Sequence, residues 1–529
     1  MNYFHPTRFD SVKMVSRQIG GLHIVLGYSL IIPALVSLLY SEYYTAGGFI
    51  ISAAFALLMG HLSYSKLTTL QEPLSYHAML VASLGWLSIV LMGAIPFFLI
   101  AHITPPEVAQ AFVPQGSNYT SSLYFFKNPL HAIFESMSGF TTTGLSMTMH
   151  EPSIGKGLLF YRHYIQLLGG AGFIVLTLSL LKQSSGKTSF LMYTAESTGE
   201  WLQSTVIETA RSIWKVYLGL TLFCIVFLIV GTYLLLPAYP LAENIFDAVN
   251  HGMAGMSTGG FSTLDDSIAG YNSFGMELLH LVPMIIGSMA LPFYVKVLIN
   301  KKYDLIWKDL QTISLIILFV VGSIVLSVML NLSGKISEPF RVGLFQFVSA
   351  LSTTGWQTSD VHQWDSASVF FIVMSGMVVG GAFGATVGGL KIIRVLALLK
   401  GVIWRINSFF ASENSVNVVR FNQQRLLPEE ARKEVASAAI FTFVYMAFLM
   451  LGTLISYYTM DAGFGLKDAL FESASAQGTV GLSCGITHPE MSTTLEITYI
   501  LQMWAGRLEI IPFLVLIRAL VFGTKPKIV

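Results

Sequence analysis

The chain has 529 residues, of which 53% are hydrophobic and only 11% charged, with a formal net charge of +1; a soluble protein of this size carries about 25% charged residues. A mean hydropathy of +0.65, with apolar runs longer than the ~20 residues that cross a bilayer core, excludes an ordinary soluble fold. Two cysteines, Cys224 and Cys484, exclude a disulfide framework, and the histidines include no H-E-x-x-H metal motif.

Apolar runs at 19–40, 46–64 and 77–101 open the chain. The first follows Arg8, Lys13 and Arg17, as the h-region of a signal peptide would. It is too long for one and no A-x-A-like cleavage site follows, so it is read as a retained span. Further spans are predicted at 157–181, 212–236, 274–298, 310–331, 368–400, 434–459 and 494–521. Between them lie four shorter stretches, 130–140, 242–256, 340–352 and 466–477, of re-entrant rather than crossing length.

The four short stretches end alike. They read Ser138-Gly-Phe-Thr-Thr-Thr-Gly144-Leu-Ser146, Ala254-Gly-Met-Ser-Thr-Gly-Gly260-Phe-Ser262, Ser349-Ala-Leu-Ser-Thr-Thr-Gly355-Trp-Gln357 and Ser475-Ala-Gln-Gly-Thr-Val-Gly481-Leu-Ser483. Aligned without gaps, all carry Thr at the fifth position (Thr142, Thr258, Thr353, Thr479) and Gly at the seventh. Phe134, Phe345 and Phe471 stand ten residues before that Gly, where the second repeat has Asn250. Each motif sits between two apolar spans, so span, short helix, Gly-loop and span recur four times.

With the amino terminus cytoplasmic, most of the 30 Lys and Arg residues fall on the inner side. The exceptions are Lys127, Lys156, Arg162, Lys335, Arg341 and Lys467 outside, and Arg507 within a span. Acidic residues such as Asp265, Asp266, Asp360 and Asp365 favour the outer side, where they concentrate cations at a mouth.

Non-helical backbone at membrane depth is tolerated only inside protein or around a watery cavity. Four short helices aimed at one axis would direct their partly negative carboxyl ends at a cation. The loops would supply carbonyls that replace its hydration shell, with Gly where the chain needs φ > 0. The predicted cation site is Thr142, Thr143 and Gly144; Thr258, Gly259 and Gly260; Thr353, Thr354 and Gly355; Thr479, Val480 and Gly481. Read singly, each string is an ordinary polar turn; it is the fourfold recurrence that argues for a filter. A phosphate cradle is a poorer fit, since no G-x-x-x-x-G-K-[ST] string occurs.

These loops resemble the filters of the Trk/Ktr/HKT superfamily of potassium-uptake proteins, most of all its bacterial TrkH/TrkG branch. The resemblance runs nearly the whole length. It includes two extra amino-terminal spans, Gln166-Leu-Leu-Gly-Gly-Ala-Gly172 after the first loop and Gly506-Arg-Leu-Glu509 in the last span. It implies an all-α polytopic membrane protein: two amino-terminal spans (1–70) and four pore repeats (71–190, 191–305, 306–425, 426–529) in pseudo-fourfold array around a pore. It also implies potassium ions in the filter, no covalent cofactor, and Gly144 as the mark of potassium over sodium. Trp356 and Val480 depart from the family's usual residues. The partners implied are a second copy of the chain, a cytosolic nucleotide-binding TrkA-like ring and the lipid of a bacterial cytoplasmic membrane, with no nucleic acid.

A straight helix over 368–400 would reach about 50 Å, well beyond a ~30 Å core. Its Gly376, Gly380, Gly381, Gly384, Gly388 and Gly389, followed by Lys391 and Arg394, predict a break that exposes carbonyls beneath the filter, and the family resemblance implies that an intramembrane loop there obstructs the pore. Small-residue helix packing is the competing reading. The family resemblance favours the break. Arg507, in mid-span, is expected to face the pore and use loop carbonyls, with pairing to a carboxylate on another helix as the alternative. Arg162 reads as a snorkelling span-end residue, and His251 as a satisfied packing residue. The function expected is inward potassium flux, with a sodium- or proton-coupled symporter as the alternative. A membrane enzyme would need a catalytic cluster that the scattered intramembrane charges do not provide. No nucleotide site is visible, and the basic segments 296–308 and 391–433 are the surfaces on which a regulatory ring would dock.

Overall fold

The computed structural model describes residues 8–67, 74–172, 175, 205–364, 367–410, 419–421 and 424–523. Among the described residues, six helices are long and apolar enough to cross a membrane: Asp10–Leu39, Tyr43–Lys66, Ser75–Ile103, Val206–Leu235, Leu310–Ser333 and Pro428–Thr459. Their faces are arranged as lipid requires. Val206–Leu235 turns Leu218, Leu222, Val226 and Val230 outward and buries Thr209, Tyr217, Thr221 and Cys224. Leu310–Ser333 exposes Ile316, Ile317, Val320, Val321 and Ile324 and buries Thr312, Ser323 and Ser327. Small and polar side chains between helices, with aliphatic ones outside, are what packing in hydrocarbon selects. The only strands among the described residues form a hairpin, Val419–Phe421 with Gln424–Leu426.

The four short stretches form helices Pro129–Phe140, Leu241–Met256, Pro339–Leu351 and Leu466–Gly478. Proline suits their starts, because its missing N–H is one that a first turn leaves unbonded anyway: Pro129 and Pro339 open the first and third, and Pro240 precedes the second. Asn128 caps the first through Leu130 N–H at 3.0 Å.

Among the described residues, three of the predicted spans are interrupted. The expected break in 368–400 separates Ala367–Val379 from Ile392–Ser408. The other two were expected to be continuous. The span at 274–298 is Phe274–Ser288 followed by Leu291–Ile299, bent by 90°, and the span at 494–521 is Thr493–Arg507 followed by Ile511–Phe522. In both, a proline in the first turn of the second segment, Pro292 or Pro512, has no N–H to bond the preceding turn and clashes with its carbonyl, so the helix cannot run on through it. The helix Lys156–Gly170 begins the predicted 157–181 span; the end of that span and part of the basic segment 391–433 lie outside the described residues. Glu42, between the helices Asp10–Leu39 and Tyr43–Lys66, accepts the Lys156 and Gly157 N–H groups at 2.6 and 2.9 Å. This ties the amino-terminal unit to the first repeat, and burial raises the carboxyl's pKa.

Candidate functional site: a ring of four Gly-loops

Each short helix ends in the same unusual backbone. The fifth-position threonines have positive φ: Thr142 +57°, Thr258 +52°, Thr353 +54° and Thr479 +48°. The seventh-position glycines follow at +91°, +78°, +86° and +96° for Gly144, Gly260, Gly355 and Gly481. Positive φ is uncommon for a residue with a Cβ, so its recurrence at one register marks a shared loop fold. In every loop the sixth-position N–H bonds the first-position carbonyl: Thr143 to Ser138 at 2.8 Å, Gly259 to Ala254 at 2.7 Å, Thr354 to Ser349 at 3.0 Å and Val480 to Ser475 at 2.9 Å.

The loops close a ring. A Cβ on Gly144 would stand 2.5 Å from the Gly259 carbonyl oxygen. On Gly260 it would strike the carbonyl of Thr354, on Gly355 that of Val480, and on Gly481 that of Thr143. Each seventh-position glycine therefore abuts the sixth-position carbonyl of the next repeat, and the fourth returns to the first. The flanking helices also approach closely: a Cβ on Gly169 or Gly506 would run into the Phe140 or Gln477 carbonyl at the end of a short helix.

Behind the ring stands a set of side chains absent from the sequence-based site. Nine residues before each ring glycine lies a fully buried polar group: Glu135, His251, Gln346 and Glu472. Glu135 accepts Met147 N–H at 2.8 Å and the Ser146 hydroxyl at 3.1 Å. Glu472 accepts Cys484 N–H at 2.9 Å, the Ser483 hydroxyl at 2.7 Å and Thr487 N–H at 3.1 Å. His251 Nε2 accepts Thr263 N–H at 3.2 Å. Gln346, with its amide oxygen turned to the donors, accepts Thr358 N–H at 3.0 Å and Ser359 N–H at 3.2 Å. Arg162 is not a snorkelling residue. Its side chain is 0% exposed and Nε donates to Glu135 at 2.7 Å, with a second bond to the Ser146 hydroxyl at 2.8 Å. A charge this far from water must be paired and hydrogen-bonded. His251 is satisfied as expected, its Nδ1 lying 3.3 Å from Tyr271 Oη and from His280 Nε2.

Beneath the ring runs the Gly-rich break. Gly380, Gly384 and Gly389 take positive φ, and the loop is pinned by Ala382 N–H to the Ser288 carbonyl at 3.0 Å, Leu291 N–H to Gly384 at 2.9 Å and Phe383 N–H to Gln311 at 2.8 Å. Gly381 accepts Ile392 N–H at 3.1 Å. The loop touches all four fifth-position threonines. The Thr386 carbonyl accepts from Thr142 Oγ1 at 3.4 Å, and its hydroxyl meets Thr258 Oγ1 at 3.0 Å. Gly388 N–H donates to Thr353 Oγ1 at 3.3 Å, and a Cβ on Gly388 would collide with Thr479 Oγ1. Arg507 reaches the same place. Its guanidinium donates to the Thr386 carbonyl at 2.5 Å and to the Gly169 and Gly170 carbonyls at 2.5 and 2.7 Å, as expected of a mid-span arginine using loop carbonyls. Glu509 does not share a helix with it; it sits in the break at φ +55° and pairs with Arg394. Lys391 is buried, its ammonium on the Val387 carbonyl. Arg507, Lys391, Arg394 and Glu509 line a cavity of about 300 Å³ below the loop.

On the opposite side a second cavity, about 170 Å³, is lined by the four ring glycines with Glu151, Asp265, Gln357 and Ser483. Burial, only partly offset by Arg162, pushes the Glu151 carboxyl up to about 8.

The sequence profile of the TrkH family, described as a cation transport protein, matches residues 107–522. An uncharacterised cation transporter of Methanocaldococcus jannaschii is 30% identical over 506 residues, covering 96% of this chain and 95% of its own. The Trk system potassium uptake protein TrkH of Escherichia coli K12 is 26% identical over 95% of this chain and 98% of its own. The crystal structure of the potassium transporter TrkH from Vibrio parahaemolyticus superposes with a TM-score of 0.76 at 24% identity, over 96% of this chain and 98% of that one.

Proposed function

The chain belongs to the TrkH family of cation transport proteins, and we propose that it is a potassium-uptake pore whose selectivity filter is the ring of Gly-loops. The observation that carries this reading is the closed contact of each ring glycine with the preceding repeat position in its neighbour. Such a ring crowds backbone carbonyls around one axis, the arrangement that replaces a potassium ion's water shell. Relatives named as potassium uptake proteins support the choice of ion.

In this reading residues 71–190, 191–305, 306–425 and 426–529 are the four pore repeats, 1–70 adds two spans, and the amino terminus is cytoplasmic. Thr142, Thr143, Gly144, Thr258, Gly259, Gly260, Thr353, Thr354, Gly355, Thr479, Val480 and Gly481 hold the ions. The loop bearing Gly380, Gly381, Gly384, Gly388 and Gly389, with Lys391 and Arg507, is the gate, because it meets every threonine at the filter's inner end and sets a positive charge beneath them. An inside-negative membrane drives potassium inward with ~2.3 kcal/mol per charge per 100 mV. The chain works as a homodimer on a cytosolic nucleotide-binding ring, which opens the gate by binding the open form more tightly than the closed one.

The test is rubidium and potassium uptake by purified protein in liposomes under an imposed inside-negative potential, with sodium as competitor. Potential-driven uptake that sodium neither supports nor blocks is expected. Uptake that requires a sodium or proton gradient would replace the pore with a coupled symporter.

A further inference from the structure

We propose that Glu135, His251, Gln346 and Glu472 are positioning residues that set ion selectivity by suspending the outer limb of each filter loop, with His251 acting as the neutral Nδ1–H tautomer. This rests on the filter reading above. The argument begins with register. In all four repeats the side chain nine residues before the ring glycine accepts the N–H three residues after it: Met147, Thr263, Thr358 and Cys484. Residue identity differs, yet acceptor, donor and spacing recur. The bond therefore serves the loop's shape rather than a local charge.

All four acceptors are fully buried, so each holds its loop without competition from water. A buried donor that loses its acceptor costs the full desolvation penalty of the N–H, and the loop then has reason to rearrange. The ring glycine lies between the two ends of this brace and presses on the next repeat's carbonyl. A slackened limb is thus felt at the neighbouring coordination site as well as its own.

His251 follows the same rule with a constraint on its proton. Nε2 faces the Thr263 N–H at 3.2 Å and must present a lone pair. The ring proton therefore resides on Nδ1, between Tyr271 Oη and His280 Nε2. A glutamine can reproduce the acceptor, as Gln346 does in the third repeat. Glu135 is a poor site for this test because it also carries the Arg162 ion pair.

The experiment compares sodium and potassium uptake in liposomes for His251→Gln, His251→Leu and Gln346→Leu; Glu472 is left aside because its two oxygens accept two separate backbone N–H groups, which one amide oxygen cannot replace. His251→Gln is expected to keep the wild-type ratio within about twofold. The leucine variants are expected to raise sodium relative to potassium by about tenfold, the equivalent of one buried hydrogen bond. If leucine variants do not fold, His251→Asn and Gln346→Asn keep polarity but fall short of the donor, and the same loss of selectivity is expected. Folded leucine or asparagine variants with the wild-type ratio overturn the proposal, as does a folded His251→Gln protein that loses selectivity like the leucines. Gly144→Ser serves as the reference. If it admits sodium while the acceptor variants do not, the positioning role fails alone; if it too is silent, the filter reading fails.

Discussion

Serine in place of Gly144 must hold φ near +91°, a left-handed backbone that costs a residue with a Cβ about 1–2 kcal/mol. Its Cβ would also stand 2.5 Å from the Gly259 carbonyl oxygen, where ordinary contact begins at 3.4 Å. That oxygen belongs to the next repeat, so under the proposed function relief of the clash displaces a coordinating group rather than an idle one. If the strain is released at the ion site, a loss of 1–2 kcal/mol in discrimination raises relative sodium permeability roughly 5- to 30-fold. Gly144 has the most room of the four; Gly481, Gly355 and Gly260 are progressively tighter against their neighbours. Serine at Gly144 should therefore fold and leak sodium, whereas serine at Gly260 should cost folded protein. Paired sodium and rubidium flux in liposomes, with thermal unfolding of the same preparations, measures both. A folded Gly144→Ser protein with wild-type selectivity would refute the reasoning, as would a reversed order of stability.

Arg507→Ala, or deletion of Gly380 to Gly384, should raise potassium flux in the absence of any partner, since each removes part of the proposed gate under the ring; unchanged flux from folded protein would return this region to a packing role. Because the Glu151 carboxyl is pushed up to about 8, the folded protein retains a proton that the unfolded chain has released above its ordinary value. Its contribution to stability is thus lost as pH rises toward about 8, while the outer mouth gains a negative charge. Uptake from dilute potassium should increase between about pH 7 and about pH 9 at low ionic strength; high salt should flatten the rise, and Glu151→Gln should abolish it. Charge reversal at Arg420, Arg425 and Arg432 should weaken the response of flux to nucleotide when the regulatory ring is reconstituted, and an undiminished response would move the docking surface elsewhere.

The short helices and their loops were legible because three signals coincide there: a length too short to cross, a glycine at fixed register and a threonine two residues earlier. The broken spans at 288–291 and 507–511 were not, because hydropathy reports apolarity and is blind to a change of chain direction. Pro292 and Pro512 were the available signals. Arg162 was misread for a related reason: its place near a span end suggested an outlet to water, whereas its partner Glu135 lies on a helix 27 positions earlier. The braces behind the loops escaped notice because Glu, His, Gln and Glu share an ability to accept a hydrogen bond, not a name. Aligning the repeats by side-chain role rather than residue identity would have exposed them.

The loop bearing Thr386 belongs to one repeat yet touches a threonine in each of the four. As the proposed gate, it is a stopper that no symmetric tetramer could carry, since four copies would compete for the same point on the axis. Joining the repeats in one polypeptide frees them from having to be identical. One quarter can specialise in obstruction and another can exchange a carboxylate for an imidazole, and a substitution alters one wall of the conduit instead of all four at once. Under the proposed function, the circumference is held in common while the control is vested in a single quarter, so inherited variation could adjust opening and ion choice separately.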